Sequence, residues 1–346
     1  MAGLTRYNNS DKVIDTQKVV TSTWSDNTND CKIYFDFTSS VSSDSDITSS
    51  AAFYREIYNN ASATETQFSI AYGNKFGSGS KHFTDAEGSK NNSATRVIYN
   101  QYRQLVYGDE ASDFNFNGVT SNEIFVINVN RARYKHNLKP GSLKLVLAKS
   151  GTAALDSIQL TDDSVTKLGA ATITNAGRQF NLVSGSLGVM SGSSLNQTLN
   201  GTSGSYGFFY PDSGFIILNA HALSASLSIL NTGSVTTQHS TNNNLNSFMT
   251  SISGGNSFIL DSEEKVTSQY FFTRVKNNEY NYTTNPSFID TNGNLNFTSM
   301  VDNPKTFITT IGLYNDSNDL VAVAKVSQPI AKDFSKEALM RVKLDY

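Results

Sequence analysis

The chain has 346 residues, enough for one large domain or two ordinary ones, with 38% hydrophobic and only 16% charged residues. Its 16 tyrosines and 21 phenylalanines argue against a disordered chain, which is poor in aromatic residues and rich in charge. A net charge of −3 gives no electrostatic case for nucleic acid.

The rest of the composition is weighted toward Asn, Ser, Thr and Gly. Short polar side chains mixed with Tyr, Phe, Val and Ile favour strands joined by tight turns. The predicted fold class is mainly β with a few helices (α+β), built from antiparallel sheets with a β-rich insertion. The single cysteine, Cys31, allows no internal disulfide and reads as a small buried residue. The opening MAGLTRYNNSDK lacks the apolar stretch of a secretory leader. No run reaches the roughly 18 apolar residues of a membrane helix. Synthesis in the cytoplasm is therefore expected. Asn-x-Ser/Thr triplets at Asn60, Asn196, Asn200, Asn281 and Asn296 carry no meaning without secretion.

In chain order, KIYFDF at 32–37 predicts a strand, followed by a serine-rich loop over 38–50. Ser49 or Ser50 is placed to cap a helix over 51–58, because Phe53/Ile57 and Tyr54/Tyr58 fall at i, i+4 spacing. Residues 67–72 alternate as a strand and lead into a Gly/Ser loop over 73–88. A second helix is predicted from a Ser93 cap to Tyr107, with Ala94, Val97, Ile98, Tyr102, Leu105 and Val106 as its buried stripe and Gly108 as its stop. EIFVINV at 123–129 is nearly unbroken in apolar residues and predicts a central strand buried on both faces. Pro140-Gly141 turns the chain into a strand over 143–148.

From 150 to about 231 short β segments alternate with polar turns, and a short helix is expected within 242–253. Strands resume at 269–276. Residues 306–314 and 320–326 flank NDSND as a hairpin. In the last segment, 339–346, Met340, Val342, Leu344 and Tyr346 are expected to face inward, with Arg341, Lys343 and Asp345 outward. The expected organisation is an N-terminal α+β region (1–150), a polar β-rich middle domain or insertion (151–265) and a C-terminal β region (266–346). The two end regions are candidates to close one sheet around the middle.

The stretches SNEIFVINVNRARYKHNLKPGSLKL (121–145), SYGFFYPDSGFIILNAHAL (205–223) and TTIGLYNDSNDLVAVAKVSQPIAKDFSKEALMRVKLDY (309–346) resemble virion structural proteins of large contractile-tailed bacteriophages, particularly those infecting cyanobacteria. Together they cover roughly a quarter of the chain. The resemblance implies a non-enzymatic particle component, of tail or baseplate type, that assembles in several copies. It implies location in the virion and, as partners, other virion proteins and copies of itself. It carries no catalytic motif and no transferable functional residue.

A search for chemistry agrees with a non-enzymatic reading. His82, His136, His221 and His239 are scattered, without metal-ligand spacing. The Asp290 stretch DTNGN resembles a calcium loop but has Leu295 and Val301 where an EF-hand has Gly and Glu, so a turn is expected. GNKFGSGSK at 73–81 lacks the Gly-Lys-Ser/Thr ending of a phosphate loop. The acids Asp109/Glu110, Asp212 and Glu263/Glu264 are not united by sequence, and no Gly-x-Ser-x-Gly elbow is present. No cofactor, metal, membrane or nucleic-acid partner is expected. The basic run Arg131, Arg133, Lys135, His136, Lys139 is either a solvated strand end or an ion-pairing surface for an acidic subunit. Arg131, Arg133, Lys135 and Lys139, with Met340, Val342, Leu344 and Tyr346, form the candidate subunit interface. The alternatives are a receptor-binding or polysaccharide-degrading tail protein, for which a host surface glycan would be the ligand, and a head or neck accessory protein.

Overall fold

A computed structural model describes residues 6–31, 33–35, 54–60, 65–77, 94–148, 157–166, 171–191, 197–199, 202–227, 244–282 and 285–346. The fold is mainly β with antiparallel sheets and a few helices, as the composition predicts. Contacts divide the chain into two compact units, Val19–Glu264 (the large unit) and Met1–Lys18 with Lys265–Tyr346 (the small unit).

The first strand is β1 (Lys12–Ser22), followed by β2 (Tyr34–Phe35), β3 (Tyr54–Tyr58) and β4 (Thr66–Asn74). Helix α1 (Ala94–Tyr107) and the hairpin of β5 (Phe114–Phe116) and β6 (Val119–Ser121) lead to β7 (Glu123–Val129). Then come β8 (Asn137–Leu138), β9 (Lys144–Ala148), β10 (Ser157–Asp162), β11 (Thr172–Thr174), β12 (Gly177–Ser186) and β13 (Val189–Met190). After the paired β14 (Gln197–Leu199) and β15 (Thr202–Gly204), β16 (Gly207–Tyr210) and β17 (Phe215–Asn219) return to the main sheet. Helices α2 (Ala220–Leu227) and α3 (Asn244–Gly255) precede β18 (Phe258–Ile259). The main sheet runs β18-β9-β10-β12-β16-β17-β7-β4-β3-β2, so strands from both sides of residue 150 share it.

β7 explains the centre of this sheet. Phe125, Ile127 and Val129 enter one hydrophobic cluster, while Ile124 and Val126 enter another. The first cluster includes Leu245, Phe248 and Ile252 of α3, the second Tyr99, Tyr102 and Val106 of α1. A strand covered on both faces needs apolar residues at successive positions, and Ile124–Ile127 of the nearly unbroken run meet that need, with Asn128 left exposed. β17 behaves alike, with Ile216 and Leu218 on one side and Phe215 and Ile217 on the other.

Three local expectations are corrected. Residues 54–58, read as the end of a helix, form β3 and pair with β4. An i, i+4 repeat is also a multiple of two, so it fits a strand. Tyr54 and Tyr58 share a strand face with Glu56 and donate their hydroxyls to its carboxylate at 3.1 and 2.8 Å. Residues 49–53 lie outside the described residues, as do Lys32, 36–37 and the expected loop over 38–50. The buried stripe of α1 is Thr95, Tyr99, Tyr102, Arg103 and Val106, while Val97 and Leu105 are 57% and 42% exposed. The helix is turned by about one residue from the predicted face because the tyrosine rings bring more area to bury than Val and Leu. Gly108 ends the helix at φ +75° as expected. Gly73, read as the first loop residue, belongs to β4: a Cβ there would stand 2.9 Å from the Tyr99 amide nitrogen, so its bareness lets α1 lie on the sheet. The Ser93 cap and residues 78–88 lie outside the described residues.

In the small unit the long β19 (Asp261–Val275), which starts in the large unit, is flanked by β1 and by β22 (Ala338–Asp345). Between them lie the one-turn helix α4 (Ser299–Asp302) and a hairpin of β20 (Thr306–Tyr314) and β21 (Leu320–Lys332). The unit's main apolar cluster is small: Val275, Ala338 and Met340 are buried, with Ile308, Ile311 and Ile330 of the hairpin packed against them, while Leu313 and Val342 are buried outside it.

Candidate subunit interface

The basic run follows β7 in the large unit as a single 3-10 turn, Arg131–Arg133, capped by the Asn130 side chain. Its charges are engaged locally. Arg131 lies over the Tyr134 ring at 4.6 Å and donates to the Tyr134 carbonyl. Arg133 approaches Glu65 at 3.4 Å, and Lys139 lies 3.9 Å from Asp261. Lys135 is exposed while its backbone amide donates to Ser262 Oγ at 2.9 Å. Exposed pairs of this kind contribute about 0–1 kcal/mol, so the run is a patterned surface rather than a stabilising network.

In the small unit, Met340 and Val342 are 7% and 5% exposed. Both face inward as predicted, and Met340 is consumed by packing against Val275, Ala338 and the hairpin isoleucines. Leu344 is half-buried, and Tyr346, expected inward, is 68% exposed. The Tyr346 backbone exchanges two hydrogen bonds with Thr267 while its hydroxyl accepts from Gln269. The outward face of β22 and β19 is aromatic and basic: Arg341 and Lys343 lie 5.3 and 6.0 Å from the Tyr270 ring centroid. Leu339 on this face is 69% exposed. The hairpin likewise turns Phe307, Leu320, Val321 and Val323 outward at 52–68% exposure.

Among the described residues no three His, Cys, Asp or Glu side chains form a metal-binding group, and no helix is long and apolar enough to cross a membrane. The acids singled out in the sequence take up separate structural duties. Asp109 accepts from the Ser112 hydroxyl and from the amides of Ser112 and Ala111, which hold its carboxyl below the usual range. Asp212 takes the forked guanidinium of Arg178 and its amide. Glu263 is buried in β19 beside Asn137. Asp290 folds its own turn by accepting from the amides of Asn292 and Asn294, each at 2.8 Å. His82 and His239 lie outside the described residues.

Two further carboxyls, half-buried Glu123 and buried Asp162, have raised pKa values and carry no signal of this in the sequence. Glu123, at the start of β7, accepts from the Tyr72 hydroxyl at 3.0 Å and the Asn74 amide at 2.9 Å, while burial raises its pKa. Asp162 is fully buried; one oxygen accepts from the Gly141 amide at 2.8 Å and the other has no hydrogen-bond partner. Burial raises its pKa as well. A carboxyl whose pKa is higher folded than unfolded costs stability as pH rises, from the unfolded value of about 3.9 upward through the folded one. Asp162→Asn is therefore expected to match the wild type near pH 4 and to gain on it, by about 1 kcal/mol, at neutral pH. Urea unfolding of both proteins across that window checks the sign; a constant difference would count against it. The only advance signal for Asp162 was its place at the end of an alternating segment, which does not report burial.

Comparison with protein families, curated proteins and solved structures finds no match to this chain.

Proposed function

We propose that this protein is a non-enzymatic structural component of a bacteriophage particle, in the tail or baseplate, assembling with copies of itself and with other virion proteins. The observation that carries the reading is the small unit. Its main apolar cluster is built on Val275, Ala338 and Met340, yet the unit holds Phe307, Val321, Val323 and Leu339 in water at 52–69% exposure. Large exposed apolar residues gathered on strands are a feature of surfaces that meet another protein. Among the described residues β1 and β22 stand at the two edges of their sheet, where a strand of another chain can add. The resemblance of the hairpin and terminal strand to phage virion proteins supplies the particle.

Quantitative mass spectrometry of purified virions, with tails separated from heads, tests the proposal. The chain is expected in the tail fraction at a fixed multiple of three or six copies. Recovery from heads alone would move it to the head or neck, and absence from particles would overturn the structural reading.

A further inference from the structure

Strand β1 is an exposed edge strand. Among the described residues it pairs only with β19, at one end of the order β1-β19-β22. Its residues 12–21 are all exposed, including Val13 and Ile14 at 48% and 57% and Val19 and Val20 at 42% each. Natural edge strands are usually short, bulged, rich in inward-pointing charge or interrupted by proline. This one is eleven residues long, with no proline and two apolar pairs.

We propose that the open edge of β1 pairs antiparallel with β1 of a second copy about a two-fold axis at Thr16. The inference rests on the assembly reading above and names its partner surface. A two-fold axis through an antiparallel pair stands perpendicular to the sheet and leaves each side chain on its own face. The axis must therefore pass through a residue that faces itself, and the sequence KVIDTQKVVTS decides which. Centring on Asp15 sets Asp15 against Asp15 and Lys12 against Lys18. Centring on Lys18 sets that lysine against itself, and centring on Gln17 sets each Asp15 against Val19. Centring on Thr16 sets Val13 against Val19 and Asp15 against Gln17, each twice, with the stems of Lys12 and Lys18 along Val20 and Ile14. No like charges meet directly, and apolar and hydrogen-bonding cross-strand partners are the ones that stabilise a sheet. Asp15 and Gln17 already bond to each other within the strand at 3.3 Å. The two-fold contact lets each make the same bond across the axis.

Cysteine cross-linking of the full chain reads the register. The native Cys31 is 3% exposed, so an introduced thiol is the accessible one. Directly opposed residues have Cβ atoms about 4.5–5.5 Å apart, close enough for small strand movements to close a disulfide. Thr16→Cys is expected to give a disulfide-linked dimer under mild oxidation, and Asp15→Cys is not. A mixture of Val13→Cys and Val19→Cys chains is expected to give the mixed dimer. Val19→Asp, which sets a carboxylate against Val13, is expected to weaken self-association in sedimentation at least tenfold. A monomer at every concentration, or a dimer untouched by these changes, overturns the pairing. Finding such a monomeric chain in virion tails would still leave the assembly reading standing. A chain that dimerises through Thr16 but is absent from particles would sink that reading and keep the pairing.

Discussion

Phe125→Ala is expected to lower the stability of the large unit by about 3–5 kcal/mol, the cost typical of removing a fully buried aromatic ring. Phe125 is 0% exposed in β7, the strand between β4 and β17. Its ring stacks on Phe248 of α3 at 4.3 Å between centroids and meets Tyr72 of β4 at 5.4 Å. The substitution therefore removes the contact that ties α3 to the sheet as well as transfer energy. The helix is fixed at both ends of its stripe, by Leu245 and Ile252, so it cannot slide in to refill the space. Urea unfolding should show a lower midpoint with little change in slope, the signature of lost stability without a changed denatured state. A loss below 1 kcal/mol would mean that α3 repacks freely and that the stacked pair is dispensable.

The sequence was most legible where burial and pattern coincide. β7 and α3 were expected in the right places because a doubly covered strand and an amphipathic helix each leave their own period. The terminal hairpin was expected too, since NDSND interrupts two β-rich runs; Asn315 closes the turn by bonding Asp319, and Asn318 takes φ +64°. It failed where two periods overlap or where tyrosine is the core residue. β3 was misread because four-residue spacing suits both helix and strand. The face of α1 was misjudged because Tyr99, although 0% exposed, carries a hydroxyl, which a hydrophobic count discounts. That hydroxyl is satisfied inside the protein by the Ser121 carbonyl at 3.0 Å. Burial raises its pKa to about 12, so the ring stays neutral in the core.

The candidate interface was legible only as a list of residue types. Alternation identified Met340 and Val342 as inward, but sequence cannot say whether inward means toward the unit's own hairpin or toward a partner. The structure buries both, Met340 against the unit's own hairpin, and it exposes Tyr346, for which the same alternation predicts an inward position. Partner choices across folds are equally invisible: Arg133 finds Glu65 from 68 positions away, and the buried Lys332 ammonium is held by the Asn277 carbonyl at 3.1 Å and the Asn281 side chain at 2.6 Å. Neither pairing leaves a local sequence signal. The exposed β1 was passed over for a related reason. Its significance lies in exposure at a sheet edge, and periodicity reports only which residues would share a face.

Met340→Asp should separate the small unit's stability from that of the large one. Met340 is 7% exposed and belongs to a core whose other buried members are Val275 and Ala338. Burial of a side chain such as methionine contributes about 1.5–3 kcal/mol, and an unpaired carboxylate in its place adds several more on the debit side. So small a core has nothing to offset that loss, because the hairpin side chains packed on it, Ile308, Ile311 and Ile330, are only half-buried. The expected result is local opening: in hydrogen exchange, amides of β20 and β22 lose protection by about a hundredfold or more, an opening cost lowered by roughly 3 kcal/mol. Amides of β7 should exchange at the wild-type rate, since its partners β4 and β17 belong to the large unit. If the exposed hairpin and terminal sheet make the contacts that build the particle, the same variant should fold its large unit yet fail to enter tails. Unchanged protection in β20 and β22 would show that the small unit draws its order from elsewhere than Met340. The hairpin could then no longer be treated as an element held by the Met340 cluster.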